Sequence, residues 1–330
     1  MRYARIIGTG SYVPEKVLTN GDLSRMVGED INEFVSKVLG IHERHVCGDD
    51  ESTADLATGA ARKALDDARI AATDLDLIIL ATDTPEYISP ATSVVVQHRL
   101  GAKNAGTFDL NSACAGFVTA LDTASKYVIA DSSYTNVLVI GAYAMSKYVD
   151  WTEKKTATIF ADGAGACVVQ ASAEGPGFIA SKLLAEGSYH DHMGIYAGGT
   201  RMPITEDVLR EGVWAKLRFA KKYPSAVNTE GWPAIVRDVL AKSHLDLDEV
   251  SLFLFTQVNL SAIKEVMANL DLPMSRTHTI MQKWGYTGSA CIPMALDDAV
   301  KAGKLKRGDR FIMCASGGGL NMACVAYRWQ

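Results

Sequence analysis

Cys114 is the residue of this chain best placed for covalent chemistry. It follows the strand-like run Gly106 to Leu110 and opens a helix that starts at Ala115. A cysteine at a helix N-terminus faces the positive end of the helix dipole, so its thiolate is favoured and its pKa is expected to fall, which makes a nucleophile. Its neighbours Ser112, Ala113, Ala115 and Gly116 are all small, as a substrate approaching the sulfur closely requires. The competing reading is a buried structural thiol. Cys291 serves as an internal control: it sits in the same Ser-Ala-Cys context but is followed by Ile292 and Pro293, and a structural role is expected for it. The six cysteines (Cys47, Cys114, Cys167, Cys291, Cys314, Cys324) show no CxxC or Cys/His spacing that would hold zinc. Neither a metal nor a bound cofactor is expected.

The elements that must position Cys114 occur twice. Asp109 to Val128 (DLNSACAGFVTALDTASKYV) and Gly288 to Ala302 (GSACIPMALDDAVKA) each open an amphipathic helix on Ser-Ala-Cys. Upstream lie the apolar runs Asp76 to Thr84 and Ser251 to Asn259; downstream lie Asn136 to Tyr143 and Asp309 to Ser316. Three pairs in one order at nearly one offset argue for two halves of the same topology. Strands alternating with helices predict mostly parallel sheets covered by helices, an α/β fold. Residues 1–172 form the expected N-terminal half with the nucleophile, and 173–330 the C-terminal half. Helices are predicted over Ser52 to Ala68, Trp232 to Lys242 and Asn259 to Asn269, and turns at Gly8-Thr9-Gly10 and Glu174 to Gly177. The segment 185–229 breaks the duplication; it is rich in polar and aromatic residues (Tyr189, His190, His192, Tyr196, Trp214, Tyr223) and is expected to cap the site.

Composition narrows the function. The 330 residues are 48% hydrophobic and 22% charged with a net charge of −5, an ordinary globular balance with no basic run to hold a nucleic acid. No stretch of eighteen apolar residues exists, and the chain enters a strand pattern at once, so a cytoplasmic protein without a membrane span is expected.

The phrases Ile6 to Pro14 (IIGTGSYVP), Gly40-Ile41, Asp109 to Phe117 (DLNSACAGF), Phe160 to Ala166 (FADGAGA), Ala197-Gly198-Gly199, Gly285 to Leu296 (GYTGSACIPMAL) and Ser316 to Gly319 (SGGG) occur in this order. Together they resemble the β-ketoacyl carrier-protein synthase III family over essentially the whole chain. The resemblance implies a thiolase fold, two βαβαβαββ halves in five αβαβα layers, and a homodimer. It also implies Cys114 as nucleophile and an oxyanion hole from the backbone N–H groups of Cys114 and Gly318. Two aimed donors of that kind contribute roughly 3 kcal/mol each in acyl transfer.

The rest of the family's machinery does not carry over. Where the family reads Pro-His-Gln-Ala-Asn this chain reads Phe255-Thr256-Gln257-Val258-Asn259, and where it reads Gly-Asn-Thr this chain has Gly285-Tyr286-Thr287. Thr256 and Tyr286 thus replace the histidine and asparagine that stabilise the enolate formed when malonyl loses carbon dioxide, and Ser316 replaces the phenylalanine that assists this step. Ordinary malonyl decarboxylation is therefore not expected. Phe34 and Lys154 stand where the family holds the CoA adenine between tryptophan and arginine. Ser261 stands at the docking arginine for acyl-carrier protein, which favours a CoA thioester as substrate. Ser89 aligns with the phenylalanine that caps the acyl pocket. Asp83 lies where the related 3-hydroxy-3-methylglutaryl-CoA synthases carry a proton-handling glutamate, with Glu86 close by. His278 is expected to be structural, and His190 and His192 to lie at the surface.

Three readings follow: an acyltransferase that loads Cys114 from an acyl-CoA and delivers to an acceptor without decarboxylation; a divergent condensing enzyme, of synthase III, thiolase-like or HMG-CoA-synthase-like type; and a partner-dependent subunit of a heteromeric ketosynthase.

Overall fold

A computed structural model describes residues 1–330. Its framework is nine strands and six helices: β1 (Tyr3–Tyr12), α1 (Thr53–Ala68), β2 (Leu77–Ala81), α2 (Thr92–Leu100), β3 (Gly106–Leu110), α3 (Gly116–Ala130), β4 (Asn136–Ala144), β5 (Asp162–Ser172), β6 (Phe178–Ala185), α4 (Ala226–Ser243), β7 (Val250–Phe255), α5 (Leu260–Asn269), α6 (Cys291–Lys301), β8 (Arg310–Gly317) and β9 (Asn321–Arg328). The apolar runs read from the sequence are β2, β4, β7 and β8.

The first sheet has the order β1-β5-β4-β2-β3 and the second β6-β9-β8-β7. Pairing repeats as well: β1 and β6 run antiparallel to β5 and β9, these run antiparallel to β4 and β8, and the next strands, β2 and β7, are parallel. The fifth strand of the second sheet has shrunk to one bridge, Phe253 to Thr277. Helices α3 and α6 lie between the sheets, α1 and α2 cover the first, and α4 and α5 cover the second, which gives five layers. A central cluster of 41 buried residues takes Phe117 and Leu121 from α3, Ile292 and Leu296 from α6 and strand residues of both sheets, so the halves share one core.

Gly8 and Gly10 lie inside β1, not in the expected turn. A Cβ on Gly8 would sit 2.5 Å from the Ala68 nitrogen and one on Gly10 2.6 Å from the Ala60 oxygen. These glycines exist because α1 is pressed backbone to backbone against the strand through its face of Ala57, Ala60, Ala61 and Ala64. The Glu174 to Gly177 turn is present between β5 and β6. Helix α1 starts at Ser52 with a reciprocal cap from Asp55, and α5 starts at Asn259, whose side chain accepts from Ser261 N–H at 2.8 Å. Both caps satisfy N–H groups a helix start leaves unpaired. No helix is long and apolar enough to cross a membrane.

Candidate active site

Between β3 and α3 the chain makes a tight turn that is built to present Cys114. Asn111 Oδ1 accepts from Ala113 N–H at 2.9 Å, and Ala113 is held in the left-handed region at φ 47°. A left-handed alanine costs about 1 kcal/mol, which the packing around the turn offsets. Asp109, one end of the DLNSACAGF motif, accepts from Thr92 and Ser93 N–H at 2.6 and 2.8 Å and so ties the start of α2 to β3. Asp162 of the FADGAGA motif accepts from Cys47 and Ser146 N–H at 2.7 and 2.8 Å. Both motif carboxylates brace the site without lining it.

Cys114 is buried at 3% exposure and opens on a cavity of about 160 Å³. The Gly-rich turn after β8 closes one side. A Cβ on Gly317 would lie 2.5 Å from the Ser112 oxygen and 2.7 Å from the Cys114 nitrogen, so only glycine fits there. Cys114 N–H and Gly318 N–H border the cavity and donate to no protein acceptor. Two unpaired backbone donors beside a thiol are what an oxyanion hole requires.

Burial pushes the Cys114 thiol well above its ordinary range, and the charge of Asp83 and the neighbouring Cys291 push the same way. The Tyr286 hydroxyl and the cysteine's own N–H act in the opposite direction but do not win. The lowered pKa expected from the helix start is therefore corrected: desolvation of a thiolate in a closed cavity outweighs a dipole whose helix begins two residues later. Cys291 is fully buried outside the cavity, with its thiol pushed up to about 12, as a structural residue should be.

Thr256 and Tyr286 both reach the cavity. Thr256 Oγ1 accepts from Ser316 N–H at 3.0 Å, which leaves its own proton free. The Tyr286 ring packs on Phe160 with centroids 5.6 Å apart, and its hydroxyl lies close enough to Cys114 to influence the thiol. Ser316 lines the same cavity and donates through Oγ to Asn228 Oδ1 at 2.8 Å. The segment 185–229 does cover the site: Met193, Phe219, Tyr223, Pro224, Ser225 and Asn228 are cavity wall. Of these Asn228 carried no motif, and the one signal for it was the serine at 316, too short to fill a phenylalanine's space.

Asp83 lies partly exposed at the end of β2, yet its Oδ1 is sealed from solvent and has no hydrogen-bond partner. Burial raises its carboxyl to about 6. Glu86 is corrected as an alternative: its carboxylate caps α1, accepting from Ala54 N–H at 3.0 Å, and it is not part of the cavity wall. Ser89 lies on the exposed segment after β2 and is not part of the Cys114 cavity wall of its own chain. His278 pairs with Asp298 at 2.7 Å outside the cavity. His192 pairs with Asp191 at 3.2 Å and stacks behind Tyr223, and exposed His190 is not part of the wall.

Phe34 and Lys154 border a second cavity, of about 650 Å³, with Lys155, Lys221 and Lys222. It meets the Cys114 cavity at Phe219 and Tyr223, which belong to both walls. Ser261 is occupied with Val38, donating to its carbonyl at 2.9 Å.

Residues 108–187 match the family model described as 3-oxoacyl-(acyl-carrier-protein) synthase III, and residues 240–329 that of its C-terminal domain. A β-ketoacyl-(acyl-carrier-protein) synthase III of Xanthomonas campestris is 37% identical, with 99% of this chain and 98% of the relative covered. This chain belongs to the synthase III family. Its fold is the thiolase fold: the crystal structure of the Aquifex aeolicus 3-oxoacyl-(acyl-carrier-protein) synthase III superposes with a TM-score of 0.89 at 37% identity, covering 99% of this chain and 100% of that one. The priming β-ketosynthase of the R1128 polyketide pathway superposes with a TM-score of 0.89 at 27% identity, over 99% of this chain and 96% of that one. A synthase III-like condensing enzyme of acyltransferase type is thereby the coarse assignment.

Proposed function

We propose that this synthase III family member takes an acyl group from a CoA thioester onto Cys114 and passes it to an acceptor without ordinary malonyl decarboxylation. The observation that carries this reading is the pairing of Cys114 with two unpaired N–H donors, its own and that of Gly318, in a cavity where Thr256 and Tyr286 replace the decarboxylation pair. In the loading step the sulfur attacks the thioester carbonyl, the developing oxyanion sits on the two N–H groups, and the sulfur–CoA bond breaks. The Cys114 proton ends on the departing CoA thiolate, so the balance is acyl-CoA plus cysteine thiol to acyl-cysteine plus free CoA; Asp83, whose charge acts on the thiol although it is not part of the cavity wall, is the candidate base. Asp83 suits this role because a carboxyl near 6 is mostly ionised at neutral pH but takes up a proton readily.

Phe34 for the adenine and Lys155 and Lys222 for the CoA phosphates fit the larger cavity, with Lys154 and Lys221, now paired with Glu29 and Asp191, on the same wall. Acyl-CoA is thus the proposed donor, with acyl-carrier protein disfavoured at Ser261. A homodimer is proposed, as the family resemblance implies, with the exposed Ser89 segment available to a second copy. The unpartnered Asp83 favours a second reading, a condensing enzyme in which this carboxylate makes the carbanion on an acceptor.

Intact mass after incubation with acetyl-, octanoyl-, benzoyl- and malonyl-CoA tests the first step. An acyl adduct in the wild type that is absent in Cys114→Ala is expected; no adduct with any donor would refute CoA loading.

A further inference from the structure

We propose that Asn228 is a catalytic residue of this chain: through Nδ2 it holds a neutral oxygen of the acceptor, with Thr256 as second donor and Ser316 as positioning residue. The proposal rests on Cys114 being the acyl carrier. Asn228 is the third residue of α4, and its side chain forms part of the Cys114 cavity wall. Its orientation is fixed. Oδ1 accepts from Ser316 Oγ at 2.8 Å, so the amide presents its oxygen to Ser316 and its NH2 elsewhere, and Nδ2 donates to no protein acceptor. Ser316 meanwhile donates its N–H to Thr256 Oγ1 at 3.0 Å. A threonine hydroxyl that accepts one hydrogen bond still has its own proton to donate. Ser316 thereby holds two groups of the cavity wall that each retain a donor, the Asn228 amide and the Thr256 hydroxyl.

The cavity wall contains no Lys, Arg or His and no Asp or Glu. A site with neutral donors and no cation does not stabilise a free carboxylate but suits a carbonyl or hydroxyl oxygen. The acceptor is therefore assigned as a molecule that presents such an oxygen, and a thioester or ketone carbonyl is the simplest fit. This arrangement replaces, at a different point of the wall, the donors that Thr256 and Tyr286 no longer supply as a histidine and asparagine pair.

The test uses two uncleavable probes, S-acetonyl-CoA, which keeps a carbonyl, and S-propyl-CoA, which lacks it, titrated calorimetrically into wild type, Asn228→Ala, Asn228→Asp and Ser316→Ala. The wild type is expected to prefer the ketone about tenfold, the size of one neutral hydrogen bond. Asn228→Ala and Asn228→Asp should bring the ratio below about twofold, and Ser316→Ala should reduce it partway, with melting temperatures confirming the fold. Asn228→Asp is isosteric and keeps the test alive if the alanine variant unfolds. A wild type without preference, or a preference intact in both Asn228 variants, overturns the proposal. Octanoyl loading of Cys114 is followed by mass in the wild type: its absence would refute the acyl-carrier reading, while the probe ratio in the Asn228 variants decides the role of Asn228 separately.

Discussion

Replacing Asp83 by asparagine should stabilise the protein at neutral pH and disable it. The carboxyl is raised from 3.8 to about 6 by burial, with Oδ1 facing no donor. In the unfolded chain the group ionises at its ordinary value, so the folded state binds the proton more tightly. Stability is therefore undiminished below about pH 3.8, falls as pH rises towards 6, and stays reduced above it. The gap corresponds to about 3 kcal/mol at 1.36 kcal/mol per pH unit, and solvent reaching the partly exposed side chain lowers this to about 2 kcal/mol. An asparagine carries no charge and escapes that cost. For a chain of this length the unfolding entropy is about 0.7 kcal/mol per degree, so Asp83→Asn should raise the melting temperature by about 3 °C at pH 8. At pH 4 the difference from wild type should vanish. Calorimetric melting of both proteins at the two pH values measures this. The acylation rate of Cys114, followed by mass, should rise with pH through about 6 in the wild type and lose that dependence in the variant. A variant that melts lower than wild type at pH 8 and pH 4 alike would show that Asp83 is a paired structural carboxylate and would refute the reasoning.

Gly317→Ala places a Cβ against the Ser112 oxygen and the Cys114 nitrogen, so the turn must move; acylation by octanoyl-CoA should fall at least about 100-fold in a folded protein, read by stopped-time mass measurements. Tyr286→Phe removes the hydroxyl that draws the Cys114 pKa down, so loading at pH 7 should slow about tenfold with its pH dependence moved upward. Carbon dioxide release from malonyl-CoA should be negligible in the wild type and should rise at least about tenfold in Thr256→His/Tyr286→Asn, assayed with labelled malonyl-CoA. Alanine at Lys154, Lys155, Lys221 or Lys222 should raise KM for acyl-CoA about threefold each without changing kcat, and the effect should shrink as salt is added.

The fold and the placement of Cys114 on a cavity were legible because both depend on local pattern. Paired apolar runs and paired Ser-Ala-Cys helix starts become β2 and β7, β4 and β8, α3 and α6 in the structure. The small residues around Cys114 and the Gly-rich turn at 317 and 318 are likewise visible as letters because backbone packs there on backbone. Gly8 and Gly10 were misread for the same chemistry seen without its partner: a glycine pair reads as a turn until the alanine face of α1 supplies the reason it lies in a strand. Glu86 sits three residues from Asp83, yet one carboxylate caps a helix and the other is sealed beside the thiol, a division that only three-dimensional placement decides. The thiol's own pKa was misjudged because a dipole can be read from sequence, whereas desolvation depends on side chains drawn from both halves and from the capping segment.

The departures at 256, 286 and 316 make more sense together than singly. A phenylalanine at 316 has no hydroxyl and could not orient Asn228; its N–H alone would still fix a threonine at 256, but the amide would turn freely. A tyrosine at 286 fills the space beside Phe160 with its ring, and its phenol is not the amide donor that the family's asparagine provides. Without that amide, a donor from elsewhere is required if any second carbonyl is to be held, and Asn228 is the unpaired amide on the cavity wall. Each substitution thus leaves a deficit that another fills. Reverting one position alone should therefore restore little of the family's chemistry, and the energies of reverting Ser316 and Tyr286 should not add, since both act on which groups face the same acceptor.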